Sequence, residues 1–270
     1  PAFWETDNLP TGDWTDSGLI AQSFIKTQLV EFLSPGFREI HQLGALLPQE
    51  CVTIQALSFR SMQFNAIHKV DGYHNWLRDC DWSYAYIWHE RYLRLLSSQR
   101  KTSRWLLKAP GHMLGINALI NHYPDAKFIQ LHRHPREVVP SMASLYASLR
   151  SGSSDRVNLA ELGESVLQEW RVGVNRVLTA RASSLLLKKR FLDINYRQVV
   201  SDPIQTARQI FEFLDTPLDI EQERQLRRYL SKNRKGKHGL HKYSLDYFGL
   251  SEAKIASAFS AYIDRFNLAD

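Results

Sequence analysis

The chain has 270 residues, of which 44% are apolar and 23% charged, a composition typical of a globular domain able to bury a core. Its formal net charge of +6 indicates an anionic ligand, and a nucleotide would account for it without nucleic acid. The two cysteines, Cys51 and Cys80, are too few for a secreted disulfide framework and show no metal-ligand spacing. No apolar run approaches the ~20 residues needed to span a bilayer. We therefore expect a cytoplasmic protein with reduced thiols.

The part of the chain before Trp105 predicts helices joined by short breaks. Residues 1–16 are rich in Pro, Gly and Asp and predict a loop. Beyond them, apolar residues at helical spacing, interrupted by Pro and Gly, predict four helices: 19–32, 37–47, a helix opened by Pro48, and the aromatic-rich 81–100.

The stretch from Trp105 to Tyr146 predicts strand, helix, strand, helix. The runs WLLK and KFIQLH are typical of buried parallel strands, and Lys108 and Arg133 stand at their carboxyl ends. Ligands of open α/β sheets bind at that edge, so we expect both cations to face one crevice. Ser141 follows eight residues after Arg133, and a proline before it predicts a helix start that puts this serine in the first turn. The stretch therefore predicts an anion site.

The second half of the chain continues the alternation of helices and strands. SGSSD, at 151–155, predicts a flexible linker. The elements predicted after it are a helix over 159–177, a third strand over 191–196, helices over 203–214 and 218–233, a basic loop over 233–242 and an amphipathic helix over 255–266.

Motifs in two separated regions make the chain resemble the sulfotransferase family: Arg133 with Ser141, Lys108 after a strand, and the late Arg234, Lys235 and Gly236. The run LLKAPGH…FIQLHRHPREVVPSMASL is especially similar to bacterial sulfotransferases related to tyrosylprotein sulfotransferases. The resemblance implies one domain over 1–270, an α/β fold with a nucleotide-kinase-like parallel sheet surrounded by helices. The sequence departs from the family at His134, where an aspartate is usual, and this leaves the local turn open.

The resemblance also implies the ligands and the roles of several residues. The donor would be PAPS (3′-phosphoadenosine 5′-phosphosulfate), the product PAP (adenosine 3′,5′-bisphosphate), and no metal would be needed. The 3′-phosphate would be held by Arg133, Ser141, Arg234, Lys235 and Gly236. Tyr196 would lie near the adenine, and Lys108 would stabilise the charge on the leaving oxygen.

The general base is open among three residues. Glu5 matches the glutamate that tyrosylprotein sulfotransferases use, and His41 stands where similar bacterial enzymes carry a histidine. His112 lies close to Lys108 in sequence, at a spacing two residues longer than in the Lys-x-His of cytosolic sulfotransferases. A histidine titrates near neutral pH and suits this task without tuning, whereas a glutamate needs a raised pKa.

The Gly-rich phosphate loop of the family is missing from the sequence, which contains no G-x-x-x-x-G-K-[ST]. We expect that the chain lacks the first strand, this loop and its helix; the alternative is a relative that has lost the loop. The predicted activity is sulfuryl transfer to a small-molecule or lipid hydroxyl. The competing hypothesis is a non-catalytic nucleotide- or polyanion-binding protein, and the oligomeric state is open.

Overall fold

A computed structural model describes residues 17–33, 44–47, 49–98, 104–233 and 244–268. The fold is helix-rich with a small parallel sheet, which confirms the predicted α/β class. The elements, in chain order, are α1 Ser17–Leu33, α2 Val52–Ala56, α3 Gln63–Ile67, α4 Asp71–Asp79, α5 Ser83–Ser97, a 3-10 turn Pro110–Met113, α6 Ile116–His122, β1 Phe128–His132, α7 Pro135–Ser151, α8 Leu159–Ala182, α9 Leu185–Lys188, β2 Phe191–Asn195, α10 Tyr196–Ser201, α11 Pro203–Phe213, α12 Ile220–Lys232, a 3-10 turn Asp246–Phe248, and α13 Glu252–Arg265.

The two strands of the sheet pair in parallel, as the sequence predicted for FIQLH and FLDIN. Phe128 is the register partner of Phe191 at one end, and His132 is the partner of Asn195 at the other. Because the strands end level with each other, the residues that follow them leave from the same edge of the sheet.

The run WLLK is not a strand in the structure, and this prediction was wrong. Residues 104–109 have no regular secondary structure, and Leu106 is 85% exposed. A strand exists only where a neighbour supplies its hydrogen bonds. Within the described part of the chain, the sheet contains β1 and β2 alone, so the apolar run has no strand beside it.

The core is built around α8, which is 24 residues long. Its buried residues include Leu162, Val166 and Leu167, and they pack with buried residues of α7 and α13. Gly163 lets α8 touch the 3-10 turn Asp246–Phe248, since a Cβ atom there would lie 2.3 Å from the Phe248 carbonyl oxygen. A second cluster joins α5, α6 and the far end of α8.

The helix predictions were confirmed for the long amphipathic segments, with ends displaced by a few residues. One start was wrong: α7 begins at Pro135, and Pro140 lies inside it, so Ser141 is in the second turn. Pro135 takes the first helical position that the sequence analysis gave to Pro140. Within the described residues, no helix is both long and apolar enough to cross a membrane.

Candidate functional site

The two residues that follow the paired strands form the centre of the candidate site. Arg133 comes directly after β1 and Tyr196 directly after β2, and the guanidinium carbon of Arg133 lies 4.7 Å from the centre of the Tyr196 ring. A cation at this distance from an aromatic face is attracted to it. A cavity of about 260 Å³ opens here, lined by Arg133, His134, Glu137, Asn195, Tyr196, Arg197, Val200, Ser201 and Leu268.

The start of α7 forms one wall of this cavity. His134 is the N-cap residue, and its Nδ1 accepts a hydrogen bond from the backbone N–H of Arg136 at 3.1 Å. An N-cap side chain satisfies one of the backbone donors left unpaired at a helix start. The histidine thus makes the local contact that an aspartate would make, so the departure from the family leaves the turn intact.

Glu137 is a site residue that the sequence analysis did not identify. Its Oε2 accepts a hydrogen bond from Nε of Arg133 at 2.7 Å, with a spacing of four residues between them. Ser141 lies one further turn along the same face of α7. The i, i+4 spacing of Arg133 and Glu137 was the available signal in the sequence.

A network of hydrogen bonds around His132 links β1 and β2 to α8 and α13. His132 Nε2 lies 2.9 Å from Asp193 Oδ1, and Arg181 donates to both carboxylate oxygens of Asp193 at 2.7 and 2.6 Å. Burial alone would raise the pKa of Asp193, but the hydrogen bonds from His132 and Arg181, together with the charge of Arg181, hold it well below its usual range. His132 Nδ1 lies 3.0 Å from the Tyr262 hydroxyl, which joins α13 to the network.

Lys108 is placed differently from the prediction. It lies on the irregular segment 104–109, is exposed, and forms an ion pair with Glu50. Its backbone carbonyl accepts a hydrogen bond from the N–H of Cys51 at 2.8 Å. Of the residues that the structure describes, neither Lys108 nor Ser141 lines the cavity beside Arg133. The structure therefore joins Arg133 and Tyr196 but gives no direct contact between them and Lys108.

His112 lies in the 3-10 turn Pro110–Met113 and is packed against other side chains. Its Nδ1 lies 3.1 Å from the Tyr86 hydroxyl and 3.3 Å from Nε2 of Gln55. Burial lowers its pKa to about 3. A base this weak is poorly suited to accept a proton from a substrate near neutral pH.

Five residues singled out by the sequence analysis lie outside the described part of the chain: Glu5, His41, Arg234, Lys235 and Gly236. Their predicted roles in base catalysis and 3′-phosphate binding therefore stay predictions.

Comparisons with known proteins agree with this architecture. A family model described as "Sulfotransferase family" matches residues 7–220. Two curated relatives are each named omega-hydroxy-beta-dihydromenaquinone-9 sulfotransferase Stf3, one from Mycobacterium bovis and one from Mycobacterium tuberculosis. Each is 28% identical over 131 residues, which is 47% of this chain and 33% of the relative. The match thus spans about a third of the length of these relatives.

Solved structures of two mycobacterial sulfotransferases have a similar fold. STF9 from Mycobacterium avium is 26% identical with a TM-score of 0.77, over 98% of this chain and 69% of that chain. STF1 from Mycobacterium tuberculosis H37Rv is 27% identical with a TM-score of 0.78, over 96% of this chain and 68% of that chain. Since the family model covers most of the sequence and the folds agree over nearly all of it, the chain belongs to the sulfotransferase family.

Proposed function

We propose that this chain binds the nucleotide of PAPS beside Arg133 and supports transfer of its sulfuryl group to a hydroxyl acceptor. In the reaction, the acceptor oxygen attacks sulfur, the bond from sulfur to the bridging phosphate oxygen breaks, and PAP leaves. The acceptor proton passes to a general base, so that R–OH and PAPS give R–OSO3⁻, PAP and a proton. The observation that carries the proposal is the juxtaposition of Arg133 and Tyr196 at adjacent ends of parallel strands.

This juxtaposition supports a nucleotide site because it offers two kinds of contact in one cavity. The guanidinium of Arg133 can hold a phosphate through charge-assisted hydrogen bonds. The Tyr196 ring offers an apolar face near the same phosphate, in keeping with its proposed place near the adenine. Ser141, Arg234, Lys235 and Gly236 are the further residues proposed for the 3′-phosphate.

Lys108 is the proposed electrophilic residue of the transfer step. Its ammonium would offset the charge that builds on the leaving bridging oxygen. To do so, Lys108 has to leave its ion pair with Glu50 and contact the donor instead. Glu5 and His41 are the proposed general bases, and a limb of the pH–rate profile near neutrality would favour the histidine.

The proposed acceptor is the hydroxyl group of a small molecule or lipid. The curated relative Stf3 supports this choice, because its name describes an omega-hydroxy derivative of a menaquinone as what it sulfates. A hydroxyl on a long apolar molecule needs no charged recognition group, which fits a site whose cations are assigned to the donor.

The first prediction tests the donor site through PAP binding. Arg133→Ala removes charge-assisted hydrogen bonds worth about 1.5–3 kcal/mol each, so we expect PAP to bind about ten- to a hundredfold more weakly. Isothermal titration calorimetry measures this directly. Arg224→Ala is the matched control, since Arg224 is an exposed arginine of α12 that pairs with Glu221. Equal affinity of Arg133→Ala and the unaltered chain for PAP would refute the assignment.

Two further measurements separate the proposal from its alternative, a non-catalytic nucleotide- or polyanion-binding protein. Preference for PAP over adenosine 5′-monophosphate would identify a 3′-phosphate site, whereas equal binding of any polyanion would favour the alternative. Transfer from ³⁵S-labelled PAPS to hydroxyl acceptors tests catalysis. Sulfuryl transfer by this chain would exclude the non-catalytic alternative.

A further inference from the structure

Three side chains from distant parts of the sequence meet behind the Lys108 segment. Cys51 precedes α2, His89 lies on α5, and His112 lies in the 3-10 turn Pro110–Met113. The Cys51 sulfur and one ring nitrogen from each histidine all lie within 4.8 Å of one another. Cysteine sulfur and imidazole nitrogen are the atoms by which proteins bind Zn²⁺.

His89 supplies a nitrogen that has no other use in the described structure. The side chain is 1% exposed, and its Nε2 has no hydrogen-bond partner among the described residues. The opposite nitrogen, Nδ1, lies 2.8 Å from the Tyr123 hydroxyl. A buried polar atom without a partner is costly, and a metal ion bound there would remove that cost. The contact at Nδ1 is the kind that orients a metal-binding histidine.

His112 is oriented by Tyr86, whose hydroxyl lies 3.1 Å from its Nδ1 and can accept the Nδ1–H of a ring that binds an ion through Nε2. Its ring stands nearly perpendicular to that of His89, at 87°, with 5.9 Å between the ring centres. Unlike Cys51 and His89, His112 is only partly buried, so it marks the side from which an ion could enter.

We propose that Cys51, His89 and His112 form a Zn²⁺ site that is separate from the sulfuryl-transfer chemistry. Binding replaces the S–H bond of Cys51 by a Zn–S bond and releases one proton, with no change of oxidation state. Ligand atoms around a tetrahedral zinc are about 3.3–3.8 Å apart, so the side chains need to move inward by about 1 Å or less. A water molecule can complete the fourth position.

The site would stabilise the segment that carries Lys108. Cys51 donates its backbone N–H to the Lys108 carbonyl, and His112 lies four residues beyond that lysine. An ion bound to both residues, and to α5 through His89, would fix the segment between them. We therefore expect Zn²⁺ to raise the thermal unfolding midpoint by about 5–10 °C once its free concentration is about 100 times the dissociation constant.

Cobalt substitution tests the site without any assay of transfer. The untagged Cys80→Ser variant retains Cys51 as its single thiol, so a thiolate-to-cobalt charge-transfer band in the near ultraviolet reports on that residue alone. On titration with Co²⁺ we expect this band to saturate at about one equivalent and to disappear when Zn²⁺ is added. Absence of the band would overturn the proposal.

Variants of the ligands identify the site and guard against a misfolded mutant. His89→Gln and Cys51→Ser should each lose the zinc-dependent rise in the unfolding midpoint, while Cys80→Ser and His122→Gln keep it. X-ray absorption of the zinc-loaded, unaltered chain should show one sulfur and at least two imidazole nitrogens, and needs no variant to fold. A first shell without sulfur, or retention of the ion by a folded Cys51→Ser protein, would show that zinc binds elsewhere.

Discussion

At the scale of single residues, the candidate nucleotide site contains a carboxylate, that of Glu137, beside the arginine proposed to bind phosphate. Arg133 is held between the Tyr196 ring and the Glu137 carboxylate, which occupies part of the guanidinium that a phosphate would use. Both members of the ion pair are partly exposed, at 32% and 42% of their side chains, so the pair contributes little to stability. Its effect is on binding, because a phosphate has to compete with a carboxylate already in place.

This competition predicts that Glu137→Gln improves PAP binding. An exposed pair is worth about 0.2–1 kcal/mol, so we expect affinity to rise by a factor of about 1.4 to 5, with the gain shrinking at high salt. Calorimetric titration at low and high ionic strength measures both effects. Glu221→Gln on α12 is the control, since it breaks an exposed ion pair with Arg224. Weaker binding would instead show that Glu137 positions Arg133 for the phosphate.

At the scale of elements, α4, α7 and α8 meet at a buried acid. Glu169 on α8 is 2% exposed, accepts a hydrogen bond from the Tyr146 hydroxyl of α7 at 2.9 Å, and lies 3.3 Å from Nδ1 of His74 on α4. Burial raises the pKa of Glu169 to about 7 and lowers that of His74 to about 4. Between about pH 4 and pH 7 the two groups therefore face each other as a neutral acid and a neutral imidazole.

The raised pKa predicts the sign of a stability change in Glu169→Gln. A carboxyl whose folded pKa exceeds its unfolded value stabilises the fold fully below about pH 4.5, and this stabilisation is lost as the pH rises through 7. A glutamine amide at this position does not titrate and so does not lose this stabilisation. The free energy of unfolding of the variant, relative to that of the unaltered chain, should therefore rise by about 3 kcal/mol between pH 4.5 and pH 8. Chemical denaturation across this range measures the difference.

Glu164→Gln on the same helix is the control for that experiment. The carboxylate of Glu164 lies 2.5 Å from the ammonium of Lys254, and the hydrogen bond from Lys254 lowers its pKa. The Glu164 carboxylate therefore stabilises the fold above its unfolded pKa, and this stabilisation is lost as the pH falls. The pH dependence of the stability change in Glu164→Gln should accordingly have the opposite sign to that in Glu169→Gln. A parallel response of the two variants would contradict the assignment of Glu169 as a buried, largely neutral acid.

At the scale of the whole molecule, three histidines with lowered pKa values make the fold sensitive to acid. Burial lowers the pKa of His74 and of His89 to about 4 and that of His112 to about 3. Their unfolded values lie near 6.5, so unfolding takes up protons and the stability present above pH 6.5 is lost as the pH falls toward 4.

We therefore expect the metal-free chain to be markedly less stable at pH 5 than at pH 7. Each histidine lowers the free energy of unfolding by about 2 kcal/mol between pH 7 and pH 5. Protonation of Glu169 offsets part of this decrease, so the net loss of stability is about 3 kcal/mol. Denaturant unfolding in the presence of a chelator measures it. His74→Gln should flatten the dependence, whereas His68→Gln, at an exposed position, should not. Unchanged stability between the two pH values would exclude buried neutral imidazoles.

The parts of the fold that the sequence predicted are those fixed by local patterns. FIQLH and FLDIN could be predicted as strands because each is a short apolar run bounded by turn residues, and the long helices follow their apolar periodicity. WLLK has the same local character but no neighbouring strand in the described structure, and pairing is not encoded within the run itself. The start of α7 was misplaced because two prolines, Pro135 and Pro140, both fit a first helical turn.

The residues of the candidate site likewise divide into those that local sequence patterns predict and those that they do not. Arg133 and Tyr196 follow strands, so their proximity could be inferred once both strands were assigned. Glu137 was missed because its role depends on the conformation of a neighbouring side chain. The grouping of Cys51, His89 and His112 could not be inferred at all, because these residues lie on three elements whose packing is set by the core. Spacing rules for metal sites apply only where ligands share one short segment.

The end of the described chain lies at the candidate nucleotide site. Leu268 lines the cavity beside Arg133, and Phe266 stacks on His132 with ring centres 3.7 Å apart. Any peptide joined after this point is therefore tethered at the mouth of the cavity, where its effective concentration reaches the millimolar range. An acidic affinity tag placed there would act as an intramolecular competitor for Arg133. The same tag attached before residue 1 would have no such tether at Leu268.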